Sequence, residues 1–234
     1  MSRSNEIKLW LLLLCSFVLA LQPARAGVVT DWNMTAVSAS QAAGANPLVM
    51  SHNVALVHAA IYDAVNAIDR RHTVYAVDVK AKPGASIEAA AAIAAYGVLT
   101  KLYWLQTPAF DVALEASLVA IPDGPSKTEG IAVGREVAEK FMVLRSKDGS
   151  DASVIYTPKS GPGVYQLTPP AFAPVVLPHW SDVTPFMLKS ANQFELPGPP
   201  ALSSAEFAKD FNEVKSLGAK NSSVRTLWNP HKSN

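Results

Sequence analysis

Residues 46–69 read NPLVMSHNVALVHAAIYDAVNAID. Asn46 is a strong N-cap, and Pro47 suits the first turn, where its missing N–H costs nothing. Val54, Val57, Ile61, Val65 and Ile68 then recur at steps of three and four, which predicts one apolar stripe on an α-helix. The pattern stops at Asp69-Arg70-Arg71-His72. Ser86 caps a second predicted helix, whose stripe is Ile87, Ala91, Ala94, Val98, Leu102 and Leu105, and its many alanines favour helix and close approach of neighbours. Thr107-Pro108 opens a third, with Phe110, Leu114, Leu118 and Ile121 inward. After a Pro122–Pro125 turn, a fourth uses Val133, Val137, Phe141 and Leu144 and ends at Asp148-Gly149. The fold class read from these spacings is all-α, a helical bundle over residues 27–150.

Ten of the 17 prolines fall between residues 151 and 200. Proline removes backbone donors and fixes φ, so long helices and central strands are excluded there. Tyr156, Tyr165, Phe172, Trp180, Phe186 and Phe194 are interleaved with those prolines, whereas disordered linkers are poor in aromatics. Residues 151–203 therefore read as an ordered, irregular strap across the helices. Ser204 starts a further helix with Phe207, Phe211, Val214 and Leu217 inward and Gly218 as its stop. Asn221-Ser222-Ser223 resembles the start of another.

The first 26 residues have the form of a signal peptide. Arg3 and Lys8 give a positive start, Leu9–Leu21 is an apolar run, and Ala24-Arg25-Ala26 offers a small-x-small cleavage site. The run is shorter than the ~20 apolar residues of a membrane span, so no span is expected after cleavage. The expected location is outside the cytoplasm, periplasmic or secreted. The leader holds Arg3, Lys8 and Arg25 of the 20 basic residues and Glu6 of the 19 acidic ones, leaving 17 against 18. Such a balance offers no electrostatic footprint for nucleic acid. The single cysteine, Cys15, lies in the leader, so the remaining chain has no thiol for a disulfide.

Candidate chemistry is sparse. His52 and His58 are six residues apart, about 120° off one another's face, so they are not a ligand pair on a helix. His58, Tyr62 and Asn66 do share a face, and read as a polar site or a hydrogen-bonded seam between helices. Asp63 lies beside them and could orient a histidine. Arg70, Arg71 and His72 could clamp an oxyanion, or could stabilise a helix C-terminus through its dipole. Ser126-Lys127 and Lys159-Ser160-Gly161 lack the spacing of a phosphate loop and read as turns. Asn33-Met34-Thr35 and Asn221-Ser222-Ser223 match the glycosylation sequon.

Five stretches taken together resemble a known family: LVHAAIYDAVNAI (56–68), SLVAIPDG (117–124), GIAVG (130–134), the strap from Tyr156 through Phe186, and DFNEVKSLG (210–218). They are similar to the N-terminal half of bacterial vanadium-dependent haloperoxidase-like proteins, which share a catalytic half with type 2 phosphatidic acid phosphatases. The resemblance covers most of residues 28–226. It implies an α-helical fold, vanadate or phosphate as the bound anion, and peroxidase or acid phosphatase chemistry. The family's anion site uses Lys-x6-Arg-Pro, Pro-Ser-Gly-His and Ser-Arg-x5-His-x3-Asp motifs. This chain has no Arg-Pro and no Pro-Ser-Gly-His, and its only Ser-Arg is Ser2-Arg3. No catalytic, cofactor-binding or metal-binding residue carries over from the family.

After Thr226 the resemblance stops, as in a chain cut short by a frameshift, an early stop or a split gene. The expectation is an exported scaffold half, catalytically incomplete and without its own cofactor. It would pair with a C-terminal half through apolar faces left bare. The alternative is one part of an active vanadate-dependent haloperoxidase or acid phosphatase, completed by a separate polypeptide.

Overall fold

The computed structural model describes residues 27–225. They form six α-helices with two short 3-10 turns, and no strand occurs among them, so the all-α class holds. The predicted leader and the residues after Arg225 lie outside the described range. Two compact units divide at Lys147/Asp148.

The first unit begins with a helix that the sequence pattern did not announce, α1 (Val28–Ala42). Its N-cap is Gly27, which makes no side-chain cap bond, and its β-branched and hydroxyl residues are weak helix formers. Tertiary packing supplies what propensity lacks. Trp32, Ala36, Ala39 and Ser40 are buried, and the Trp32 indole N–H donates to Ser117 Oγ at 3.2 Å.

Helix α2 (Pro47–Asp69) starts as expected, with Asn46 Oδ1 accepting from the Leu48 N–H at 2.9 Å. It ends at Arg70, held in the left-handed region at φ 56. The buried face is rotated from the predicted stripe. Val57 and Ile61 are buried, whereas Val54, Val65 and Ile68 are only half-buried. The centre is taken by Leu56, Ala60, Ala64 and Ala67. Close approach to an alanine-rich neighbour selects small side chains over the most hydrophobic ones. By length and composition α2 could cross a bilayer, but its His52, Asp63 and Asn66 are buried in the unit.

That neighbour is α3 (Ile87–Leu102), capped by Ser86, whose Oγ accepts from the Ala89 N–H at 3.1 Å. A single stripe was expected. Instead Ala89 through Ala95, Val98 and Leu99 are all buried, because α3 is the central helix, touching α1, α2, α4 and α5. Leu105 is not on it. It sits in the 3-10 turn Trp104–Gln106 and is 74% exposed. In α4 (Thr107–Val119), Thr107 is the first helical residue rather than the cap. Phe110 is buried, Leu114 and Leu118 are half-buried, and Ile121 falls beyond the end.

Helix α5 (Pro125–Arg145) buries Val133, Val137 and Phe141 as predicted. Leu144 is exposed, and the next inward position is taken by Arg145, where the helix stops. Three positions bring α3 and α5 together. A Cβ on Gly130 would collide with Ser86 O, one on Gly134 with Ala90 O, and one on Gly97 would lie 2.7 Å from the Ala138 Cβ. Residues 86, 90 and 97 thus meet 130, 134 and 138 in ascending order, so the two helices run parallel with backbones nearly touching.

The second unit is mostly irregular, in line with its proline content. Thr184 N–H donates to Asp148 O at 2.8 Å, and a 3-10 turn covers Trp180–Asp182. Tyr156 and Tyr165 meet edge to face at 6.4 Å. Helix α6 (Ala205–Gly218) has the predicted cap, Ser204 Oγ accepting from the Phe207 N–H at 3.1 Å. Its expected inward face is only partly covered: no α6 residue is buried, Phe207 and Leu217 are half-buried, and Phe211 and Val214 are exposed. Ser222 Oγ accepts from the Arg225 N–H at 3.1 Å, the geometry of an N-cap, and any helix following it lies outside the described residues.

Candidate functional site

The polar residues singled out on α2 converge on the loop that follows it, and they hold that loop in place. Asp63 is buried at 1% exposure. Its Oδ1 accepts from the Tyr75 N–H at 2.8 Å, and its Oδ2 accepts from Ala76 and Val77 at 2.9 and 2.8 Å. Three successive backbone donors form an anion-binding concavity. Here the anion is the chain's own carboxylate. Asp63 therefore orients no histidine in this structure.

Asn66 clamps His72 in both directions, donating to its carbonyl at 2.8 Å and accepting from its N–H at 3.0 Å. The Tyr62 hydroxyl donates to Thr73 O at 2.7 Å. Arg70 donates to Asp78 Oδ1 at 2.6 Å and also to Val79 O, and Arg71 donates to Asp69 at 2.6 Å. The two arginines that could have clamped an oxyanion are thus engaged with carboxylates and a carbonyl. These exposed pairs stabilise by about 0–1 kcal/mol each. His58 makes the expected seam between helices, pairing through Nε2 with Asn33 Oδ1 on α1 at 2.9 Å. His58, Tyr62 and Asn66 together line a shallow hollow of about 390 Å³, with Val65 and His72 beside them. Asn33 lies inside a helix with its amide oxygen engaged, so its sequon does not sit on a loop.

A second network was not legible in the sequence. His52 Nδ1 meets Asn53 Oδ1 at 3.2 Å, Asn53 Nδ2 donates to Tyr103 Oη at 2.8 Å, and Tyr103 Oη meets Ser40 Oγ at 2.8 Å. Ser40 donates its one hydrogen to Ala36 O at 2.8 Å. The direction follows from counting hydrogens. Tyr103 must donate to Ser40, and the oxygen of Asn53 can only accept, so His52 carries a proton on Nδ1. This chain of donors ties α1, α2 and the end of α3 together in the interior. Its elements are far apart in sequence, which is why spacing did not reveal it.

Burial pushes the Tyr75 phenol above its ordinary value, the Asp63 charge adds to this, and buried Arg145 opposes it. Of the remaining strings expected to be turns, Ser126-Lys127 instead lies in the first turn of α5, because Pro125 opens the helix there, while Lys159-Ser160-Gly161 is irregular and leads into a turn. From within α5, Lys127 Nζ reaches back to the preceding turn, donating to Asp123 at 2.8 Å and to Ile121 O at 3.2 Å. Lys159 O accepts from Gln166 at 3.3 Å beside Gly161, whose φ is 131.

One larger hollow lies away from these residues. A groove of about 810 Å³ runs over α3 between α4 and α5, with Ile93, Gly97, Leu114, Ala138 and Met142 among its lining. Such a volume falls in the range of ligand and peptide sites, ~300–1,000 Å³. Comparison with protein-family profiles, curated proteins and solved structures finds no match for this chain.

Proposed function

We propose that this chain is an exported helical scaffold, the N-terminal half of a vanadium haloperoxidase-like protein, and that it traps no oxyanion by itself. One observation carries the reading. The polar groups most suited to binding an anion are already committed: the backbone donors of Tyr75, Ala76 and Val77 hold Asp63, while Arg70 and Arg71 hold Asp78 and Asp69. Binding vanadate or phosphate there means displacing a buried carboxylate from three hydrogen bonds. Bonds to a charged group are worth about 1.5–3 kcal/mol each. The stretches quoted above support the family, and the all-α architecture fits it.

The test is calorimetric titration of the purified chain with vanadate and with phosphate, alongside assays of bromide oxidation and phosphomonoester hydrolysis. No heat of binding and no turnover are expected. Saturable vanadate binding, or turnover that copurifies with the chain, overturns the scaffold reading and favours an enzyme. N-terminal sequencing of the chain recovered outside the cytoplasm should begin at Gly27. A mature form retaining Leu9–Leu21 would refute cleavage.

A further inference from the structure

We infer that the end of the first unit carrying the Trp104–Gln106 turn is a docking surface for a lipid bilayer with anionic headgroups. The inference uses residues of that unit alone and does not depend on the scaffold reading or the family. Chain direction brings five helices to this end. Helix α3 finishes there, α4 begins there, and α5 runs parallel to α3, while Ser40 of α1 and Asn53 of α2 both meet the Tyr103 hydroxyl. The turn itself is tied down. Tyr103 is buried, the Gln106 amide donates to Ala39 O at 2.9 Å, and Thr107 Oγ1 donates to Trp104 O at 2.7 Å. Both neighbours of the Trp104-Leu105 pair are thus anchored on α1, so the pair cannot turn inward. Trp104 is 70% exposed and Leu105 74%.

Leu48 on the first turn of α2 and Val143 and Leu144 on the last turn of α5 are exposed at the same end. Apolar residues scattered singly on a surface are ordinary, but large ones gathered around a rigid tryptophan mark an interaction site. The charge there has one sign. Residues 39–52, 99–110 and 142–147 contain Lys101, Arg145 and Lys147 and no aspartate or glutamate, in a chain with 19 acidic residues. Arg145 is buried, whereas Lys101 and Lys147 are exposed. At the opposite end the charges are balanced in pairs: Arg70 with Asp78, Arg71 with Asp69, Lys82 with Glu129 and Lys127 with Asp123. Tryptophan favours the bilayer interface, where its ring meets acyl chains and its indole N–H meets headgroups. Each lysine near an anionic surface strengthens binding about fivefold. A tip projecting from a turn enters a fluid layer without a matching pocket, which a protein partner would have to supply.

Co-sedimentation with vesicles of phosphatidylcholine and phosphatidylglycerol tests this. The apolar run Leu9–Leu21 would bind lipid by itself, so the test uses the exported chain beginning at Gly27. Binding to the mixed vesicles is expected, weakening with added salt, and phosphatidylcholine alone should bind less. Replacing Trp104 and Leu105 together by serine should lower the partition at least about tenfold. Lys101→Gln should lower it about fivefold. Val119→Ser, at an exposed position on the far end of α4, should leave it unchanged. All four positions are exposed, so far-UV circular dichroism should match the parent. Brominated lipid should quench the parent's tryptophan fluorescence and quench Trp104→Phe much less. Absence of binding to the mixed vesicles overturns the inference, whether residues 148–234 cover the turn or a protein is its partner. So does binding that the double serine variant retains, or quenching equal in the parent and Trp104→Phe.

Discussion

Replacing Gly134 by alanine sets two opposing effects against each other, and the structure decides between them. Within a helix, Gly→Ala is intrinsically favourable by about 1 kcal/mol. At Gly134, however, the new Cβ would lie 2.9 Å from the Ile93 Cβ and closer still to Ala90 O. Comfortable carbon contacts are ~3.5–4.0 Å, so α3 and α5 must separate by up to ~1 Å. Neither obstacle is the free end of a side chain, so no rotamer change relieves it. Helix α3 also has α1 and α2 against it and little room to retreat. Overpacking of this kind costs about 1–3 kcal/mol. A radial gap of ~0.5–1 Å along the rest of the seam forfeits a quarter to a half of its dispersion contacts. Against the gain in propensity, and with the loss placed at the upper end of that range by the backbone contact, the net loss is about 2 kcal/mol, or about 4–8 °C in Tm for a protein of this size. Urea unfolding followed by far-UV circular dichroism measures it. Gly218→Ala serves as the control, since a Cβ there meets nothing within 4 Å and should be neutral or stabilising by up to ~1 kcal/mol. If Gly134→Ala is as stable as the parent, or if Gly134→Val is tolerated, the close-packed account of α3 and α5 is wrong.

Asp63→Ala should destabilise by roughly 3–5 kcal/mol, because it strips the acceptor from three backbone donors, of which Val77 is buried. Asp63→Asn should lose about half of that, keeping one acceptor oxygen. Amide hydrogen exchange at residues 75–77 should accelerate in both, and protection equal to the parent's would show that the carboxylate does not hold the loop. Tyr96 donates to Asp111 Oδ1 at 2.8 Å, and this bond holds its phenol above the ordinary 10.0, with burial and the Asp111 charge adding. A raised folded-state value means the contribution to stability is present below the unfolded value and is lost as pH rises through the folded one. Alkaline titration of phenolate absorbance should show Tyr96 ionising late, and Asp111→Asn should move it down. An unchanged profile in that variant would refute the assigned cause.

How far the chain could be read depended on whether a signal was local. Capping is local, so Asn46, Ser86 and Ser204 marked their helix starts correctly. Helix α1 escaped because its support is the burial of Trp32 and Ala36 against other elements, which leaves no cap or propensity signature. The buried face of α2 was misjudged for a related reason: periodicity ranks residues by hydrophobicity, while a tight helix contact ranks them by size. In the polar cluster, the nearness of His58, Tyr62 and Asn66 on one face was legible. Their partners were not, since Asn33 comes from another helix and the acceptors and donors of residues 72–77 are backbone atoms.

By itself the sequence determined the helical class, the starts of most helices and the irregular character of the proline-rich stretch, because spacing, caps and ring constraints act within a few residues. Tertiary structure alone decided which residues are interior and what each polar group does. It made α3 the central helix of the first unit and turned Asp63 into a loop anchor. Those outcomes depend on which surfaces meet, and that is set by backbone distances and shape between segments tens of residues apart.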